Sequence, residues 1–247
     1  MQSVAILGAG IQGTSAALAL SRAGFRVELI DQEPDLMLRT SLRNEGKIHL
    51  GFTYANDPSL KTSLLMLEAA LAFGPLIERW VGPVDWRSIR TPPFTYLLMQ
   101  DSMVAADEIR NHYARLGTAY DAVPVSDRSY LGTTPRQIWE ESNLPSFVDG
   151  RAVEAAVKTA EMSIDLVGFR RLIAEAVTAA PSLETRFASR VREIARTPNG
   201  FTVSGTGQDN APWSTRADVV VNCLWDGRLQ IDEMLGHAPT RPWAYRL

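Results

Sequence analysis

The sequence predicts an α/β fold organised around a nucleotide-binding βαβ unit, and three observations carry that prediction. The apolar run SVAIL at residues 3–7 leads directly into Gly8, Gly10 and Gly13, spaced G-x-G-x-x-G. Small and apolar residues follow, with Ala16, Ala17, Leu18, Leu20 and Ala23 preceding Gly24. VELI at residues 27–30 then ends in Asp31. Strand, glycine-rich turn, helix and a second strand closed by an acid, in that order within about thirty residues, make a Rossmann-type unit.

Each part of this unit has a physical reason. A short apolar run without alternation suits a parallel strand covered by helices on both faces. Gly8 permits the bend out of the strand, Gly10 lets the backbone approach a pyrophosphate closely, and Gly13 lets the helix pack on the strand. With Ile11 and Gln12 these glycines form the expected phosphate cradle. A helix N-terminus presents unpaired N–H groups and about half a positive charge, worth roughly 0.3–1 kcal/mol to an anion. Asp31 follows Gly13 by 18 residues, close to where an acid of this unit accepts hydrogen bonds from a ribose diol. Gln32 lies beside it, and Glu33 is the next acid available for that contact. A carboxylate here repels a 2′-phosphate, which favours FAD or NAD over NADP.

Composition narrows the classes further. A chain of 247 residues with 45% hydrophobic content buries roughly 70–75% of its unfolded surface, as an ordinary globular protein does. The net charge is −3 and no basic stripe marks a nucleic-acid groove, so a small molecule rather than nucleic acid is the expected partner. The apolar start reaches Gly8 without a basic leader, unlike a signal peptide, and no run approaches membrane-spanning length. One cysteine, Cys223, excludes an internal disulfide and a cysteine-rich metal site. It reads as a small buried hydrophobe, no metal site is expected, and a reducing cytoplasm is the expected location.

The next stretch, TSLRNEGKIHLGF at residues 40–52, does not continue a simple nucleotide-binding domain. It carries Ser41, Asn44, Gly46, Ile48, His49 and Gly51 in the pattern S-x-x-N-x-G-x-I-H-x-G. With the glycine-rich unit before it, this resembles the FAD-dependent oxidoreductases of the D-amino-acid oxidase family, and within them the L-2-hydroxyglutarate-oxidising branch. RADVVVNCLW at residues 216–225 is similar to the late strand of that family, although Cys223, Leu224 and Trp225 stand where small residues are usual. The resemblance implies FAD, with Ser41, Asn44 and Gly46 beside the flavin and Val191 passing the adenine edge. Lys47 is either solvated or a cation stabilising reduced flavin, and His49 is either a catalytic group facing flavin or substrate or a structural histidine. It further implies oxidation of a carbon bearing an amine or hydroxyl in a small carboxylate substrate, with Arg43, Arg90 and Tyr96 as candidates for the carboxylate site. An NAD-dependent dehydrogenase and a non-catalytic FAD-binding fragment are the alternatives.

The remaining elements follow in order. Leu60, Leu64, Leu67, Leu71 and Ile77 recur at helical intervals until Gly82-Pro83, predicting a helix over 59–81. Residues 86–99 contain paired prolines and then alternating Phe94, Tyr96 and Leu98, predicting entry into a second sheet. Helical periodicity resumes over 101–116, and 118–150, rich in Pro, Gly and Ser, reads as surface connections. Residues 156–177 read as a strand handing over to a helix, Asn199-Gly200 within 190–205 marks a hairpin, and DVVVN at 218–222 a buried parallel strand. The expected division is an FAD-binding domain at 1–85 and 166–240, interleaved with an incomplete α+β substrate domain at 86–165. RPWAYRL stops within an apparent strand, so 241–247 are expected to begin a truncated substrate-domain strand of either a fragment or a compact form.

Overall fold

SVAIL is buried at every position, as a strand covered on both faces must be, and forms β1 (Ser3–Leu7). The computed structural model of the chain describes residues 1–241. After β1 come α1 (Ile11–Arg22), β2 (Arg26–Ile30), β3 (Lys47–Ile48), α2 (Lys61–Val81), α3 (Trp86–Ile89), β4 (Thr95–Met99), α4 (Ala106–Ala122) and β5 (Trp139–Ser142). They are followed by β6 (Val153–Thr159), β7 (Met162–Ser163), α5 (Leu166–Ala179), β8 (Leu183–Arg186), β9 (Arg190–Thr197), β10 (Gly200–Thr206), β11 (Pro212–Ala217), β12 (Val219–Asn222) and α6 (Arg228–Met234). The fold is α/β, with a parallel sheet of Rossmann type.

Two compact units share the chain: Met1–Asn44 with the described residues from Leu166 onward, and Glu45–Asp165. The expected first segment, 1–85, is therefore divided. Residues 45–85 group with 86–165 because α2 packs against α4.

In the first unit, four parallel strands lie in the order β12-β1-β2-β8. Leu7 stands opposite both Ile30 and Asn222, so these strands end level with one another. The hairpin at Asn199 joins β9 to β10, and β11 completes an antiparallel meander in the order β11-β10-β9. Gly200 takes a φ of 116°, and a Cβ there would lie 2.4 Å from the Ala217 carbonyl oxygen, so the turn requires glycine. Ala5, Leu7 and Ile30 of the parallel sheet share one hydrophobic core with Ile194, Val203 and Ala217 of the meander and Ile231 of α6. LETR, which carries no periodic signal of its own, supplies the fourth strand, β8, with Leu183 opposite Val27.

In the second unit, β4-β6-β5 form an antiparallel sheet and β3 pairs with β7. The expected entry into this sheet is delayed. Asp85 caps the one-turn α3 by accepting from Arg87 N, and pairing begins at Thr95, after Pro92-Pro93, which have no N–H to donate. α4 starts at Ala106 and runs to Ala122, with Asp107 and Glu108 in its first turn complementing the helix dipole. The expected connection 118–150 is therefore helical at its start and contributes a strand, β5, which pairs with β6 from Trp139 opposite Thr159. Of the truncated strand expected at 241–247, residues 242–247 lie outside the described residues.

Tyr130 is fully buried in this unit and ties β3 to β7. Its hydroxyl donates to the Ile48 carbonyl at 2.6 Å and accepts from Met162 N at 3.0 Å. Removing a hydroxyl that satisfies a buried N–H leaves that donor unpaired. Tyr130→Phe is expected to lower stability by about 1–3 kcal/mol, read as a lower urea midpoint at unchanged slope. An unchanged midpoint would remove Tyr130 as the tie.

Candidate functional site

The level ends of β1 and β2 bring the glycine turn and the acid together. Gly8 N donates to the Ile30 carbonyl at 2.8 Å, and Gly8 holds a φ of 97°. A Cβ on Gly8 would lie 2.8 Å from the Cys223 carbonyl oxygen, and one on Gly13 would lie 1.8 Å from the Gly8 carbonyl oxygen. Neither position admits a side chain. Gly10 differs, since a Cβ there would meet only the Ser41 hydroxyl, at 3.2 Å. It is the N-cap of α1, whose first turn receives no side-chain cap from it. One first-turn amide, Ile11 N, donates to Ser41 Oγ at 3.0 Å. The turn thus keeps the open, donor-rich character that an anionic diphosphate requires.

Asp31 is fixed beside this turn by the backbone. Its Oδ2 accepts from Ala9 N at 2.6 Å and its Oδ1 from Glu33 N at 2.8 Å. An ionised carboxylate has about four lone-pair sites, so two remain for hydroxyl donors such as a ribose diol. Gly8, Gly10, Asp31, Gln32 and Ser41 line one cavity of about 130 Å³. A second, of about 220 Å³, shares Asp31 and Gln32 and is lined by Val191. The shared residues make one groove from the glycine turn, past the acid, to the start of β9. The groove also holds Arg39 and Asp226, on which the sequence motifs give no signal; Arg39 lies 3.4 Å from Asp226 and 3.8 Å from Glu33, the alternative acid for the ribose contact. Such exposed pairs have no periodic or motif signature. Cys223 is half-buried, and burial pushes its thiol up, which suits a packing role beside Gly13.

The other expected residues take varied positions. Ile11 and Gln12 are exposed on the first turn of α1. Ser41 reaches α1 as described, whereas Asn44 donates to the Thr40 carbonyl and Arg43 is exposed. Gly46, with a φ of 65°, accepts at its carbonyl from Ile164 N. Lys47 Nζ lies 5.5 Å from the Phe94 ring centroid and 5.9 Å from that of Tyr96. Arg90 donates to the Leu131 carbonyl at 2.7 Å and lines a cavity of about 570 Å³ together with Arg87 and Lys158.

A polar cluster within the second unit gathers His49 and Tyr96 around a residue the motifs did not indicate, Glu161. This carboxylate is completely buried. Its Oε1 receives Tyr96 Oη at 2.5 Å and stands 3.0 Å from His49 Nδ1, and its Oε2 accepts from Leu50 N at 2.8 Å. Burial, and then the hydrogen bond to Glu161, push the Tyr96 hydroxyl well above the usual phenol range, so it remains a donor at neutral pH. The signal available in the sequence was an acid flanked by Ala160 and Met162, since a charge in apolar surroundings is seldom buried without partners.

Comparison with known proteins places this geometry in a family. The family model for DAO, described as FAD dependent oxidoreductase, matches residues 3–244. A D-amino acid dehydrogenase of Sinorhizobium medicae is 47% identical over 49 residues, 20% of this chain and 12% of that protein. A D-amino acid dehydrogenase of Agrobacterium fabrum is 41% identical over 89 residues, 34% of this chain and 21% of that protein. The crystal structure of glycine oxidase from Geobacillus kaustophilus aligns at a TM-score of 0.63 and 14% identity, covering 96% of this chain and 59% of that one. This last likeness is one of fold. The matches span less than two thirds of each relative's own length.

The close approach at Gly13 yields a prediction independent of any ligand. Gly13→Ala is expected to force α1 away from β1 and cost roughly 2–4 kcal/mol, as overpacking against rigid backbone does. Chemical denaturation measures it, and a loss below about 0.5 kcal/mol would show that the crossing tolerates a Cβ.

Proposed function

This chain belongs to the DAO family of FAD dependent oxidoreductases, and on that premise we propose that it binds FAD and oxidises the carbon–nitrogen bond of a small amino acid. The observation that carries the reading is the glycine turn open at Gly10 beside a carboxylate held by two backbone amides. Gly8, Gly10 and Gly13, with Ile11 and Gln12, would receive the pyrophosphate. Asp31 would accept from the ribose hydroxyls, with Gln32 beside it, and the groove reaching Val191 would take the adenine. Ser41 retains its hydroxyl hydrogen for the cofactor while accepting from Ile11 N. Asn44, Gly46 and Lys47 are assigned to the flavin side of the site.

Bound FAD would supply the two-electron acceptor, which no side chain of this protein provides. The protein's own residues bind, orient and manage protons. Lys47, beside the Phe94 and Tyr96 rings, would offer positive charge. Arg90 and Arg43 are assigned to the substrate carboxylate, Arg90 through the nitrogens not engaged by Leu131. An amino acid is preferred over a 2-hydroxy acid because the names of the similar proteins are those of amino-acid dehydrogenases and a glycine oxidase.

The test is an absorption spectrum of the purified protein after FAD addition, followed by anaerobic addition of D-alanine, glycine or 2-hydroxyglutarate. Stoichiometric flavin bleached by D-alanine or glycine is expected. Bleaching by 2-hydroxyglutarate alone would move the substrate to the hydroxy acids, and absence of flavin binding would overturn the reading. Gly10→Val is expected to abolish flavin binding while leaving the circular dichroism spectrum unchanged, because the side chain fills the space of the pyrophosphate. Asp31→Ala is expected to weaken FAD by roughly 1–3 kcal/mol, measured by fluorescence titration.

A further inference from the structure

We propose that Glu161 and Tyr96 are positioning residues that hold His49 with its hydrogen on Nδ1, so that Nε2 serves as the base that takes a proton from the substrate's α-ammonium group. The substrate part of this inference rests on the amino-acid reading above. The arrangement of the three side chains does not.

The chemistry follows from the buried carboxylate. Tyr96 Oη and Leu50 N both donate to Glu161, one to each oxygen. An ionised carboxylate only accepts, so the remaining contact at 3.0 Å places the hydrogen on His49 Nδ1. The neutral ring then carries its lone pair on Nε2, which makes no hydrogen bond among the described residues. His49 is partly accessible, its side chain 24% exposed against 0% for Glu161. Its ring also meets that of Tyr54 edge-on at 6.2 Å, which limits rotation.

A proton taken up on Nε2 would place the charged ring against a carboxylate 3.0 Å away. Among the described residues, His49 is the one basic group within ion-pair distance of Glu161. A buried carboxylate without a cationic partner is costly, and a proton arriving on His49 creates that partner. In the step itself the substrate N–H bond breaks, the Nε2–H bond forms, and the electron pair stays on the substrate nitrogen. The products are a free amine and an imidazolium paired with Glu161. The titratable groups facing His49 are Glu161 and Tyr54, with Tyr96 behind Glu161 and Lys47 against the Tyr96 ring.

The experiment reads tautomers before activity. Long-range proton–nitrogen spectra of the FAD-loaded, nitrogen-15-labelled protein resolve its 3 histidines, with His49 assigned from the His49→Gln variant. The Nδ1–H form is expected for His49, shifting toward Nε2–H in Glu161→Gln, whose amide can donate to Nδ1. An Nε2–H form in the native protein overturns the proposal, and that result needs no substrate. Anaerobic flavin reduction by D-alanine is then followed against pH. His49→Gln is expected to slow it by about 100-fold or more and to remove the dependence on a basic group. Full activity in His49→Gln overturns the base role. If native protein is not reduced by D-alanine or glycine, the amino-acid reading fails, while the tautomer spectra still decide the His49–Glu161–Tyr96 arrangement.

Discussion

The first unit depends on one steric constraint, the approach of Gly13 to the carbonyl oxygen of Gly8, where a Cβ would sit at 1.8 Å. That approach sets the start of α1 against the end of β1. With α1 so placed, Gly10 caps it with only the Ser41 hydroxyl near where a Cβ would sit, and Ser41 reaches Ile11 N. Gly8 continues the same economy on the other side, since its missing side chain leaves room for the backbone of Cys223 after β12. Two of the three glycines are therefore packing requirements, and the third meets only the Ser41 hydroxyl. The bulky Leu224 and Trp225 are accommodated because it is the Cys223 backbone, not their side chains, that meets Gly8.

The second unit organises its polar residues on the opposite principle. The glycine turn presents backbone amides, whose positions follow from strand and helix geometry. The cluster around Glu161 uses side chains brought together from β4, from the short connection between β6 and β7, and from residues just after β3. Each depends on the others: the carboxylate is buried because three donors meet it, and the donors are oriented because the carboxylate is there. Tyr130 adds the tie between Ile48 and Met162, the immediate neighbours of His49 and Glu161 in the chain. Its burial pushes the phenol upward, so this hydroxyl also stays protonated.

The same contrast separates what could be read in the sequence from what could not. Strand β1, helix α1, strand β2 and Asp31 were legible because their signals are local: an apolar run, three spaced glycines and an acid at the end of a strand. The hairpin at Asn199 and the β-branched run of β12 were legible for the same reason. Strand β5 was hidden in a segment rich in turn-forming residues, and β8 is only four residues long, too short for a periodic signal. The grouping of residues 45–85 with the second unit follows from the packing of α2 on α4, which no local pattern records.

By itself the sequence determined that the chain opens with a nucleotide-binding βαβ unit, which glycines can carry no side chain, and which acid stands beside the turn. Those are consequences of backbone sterics and of spacing along a few tens of residues. The tertiary structure alone decided that Asp31 is held by Ala9 and Glu33, that the groove runs to Val191, and that His49 meets Glu161, 112 residues away. The reason is that a hydrogen bond specifies distance and angle between two atoms but nothing about their separation in the chain.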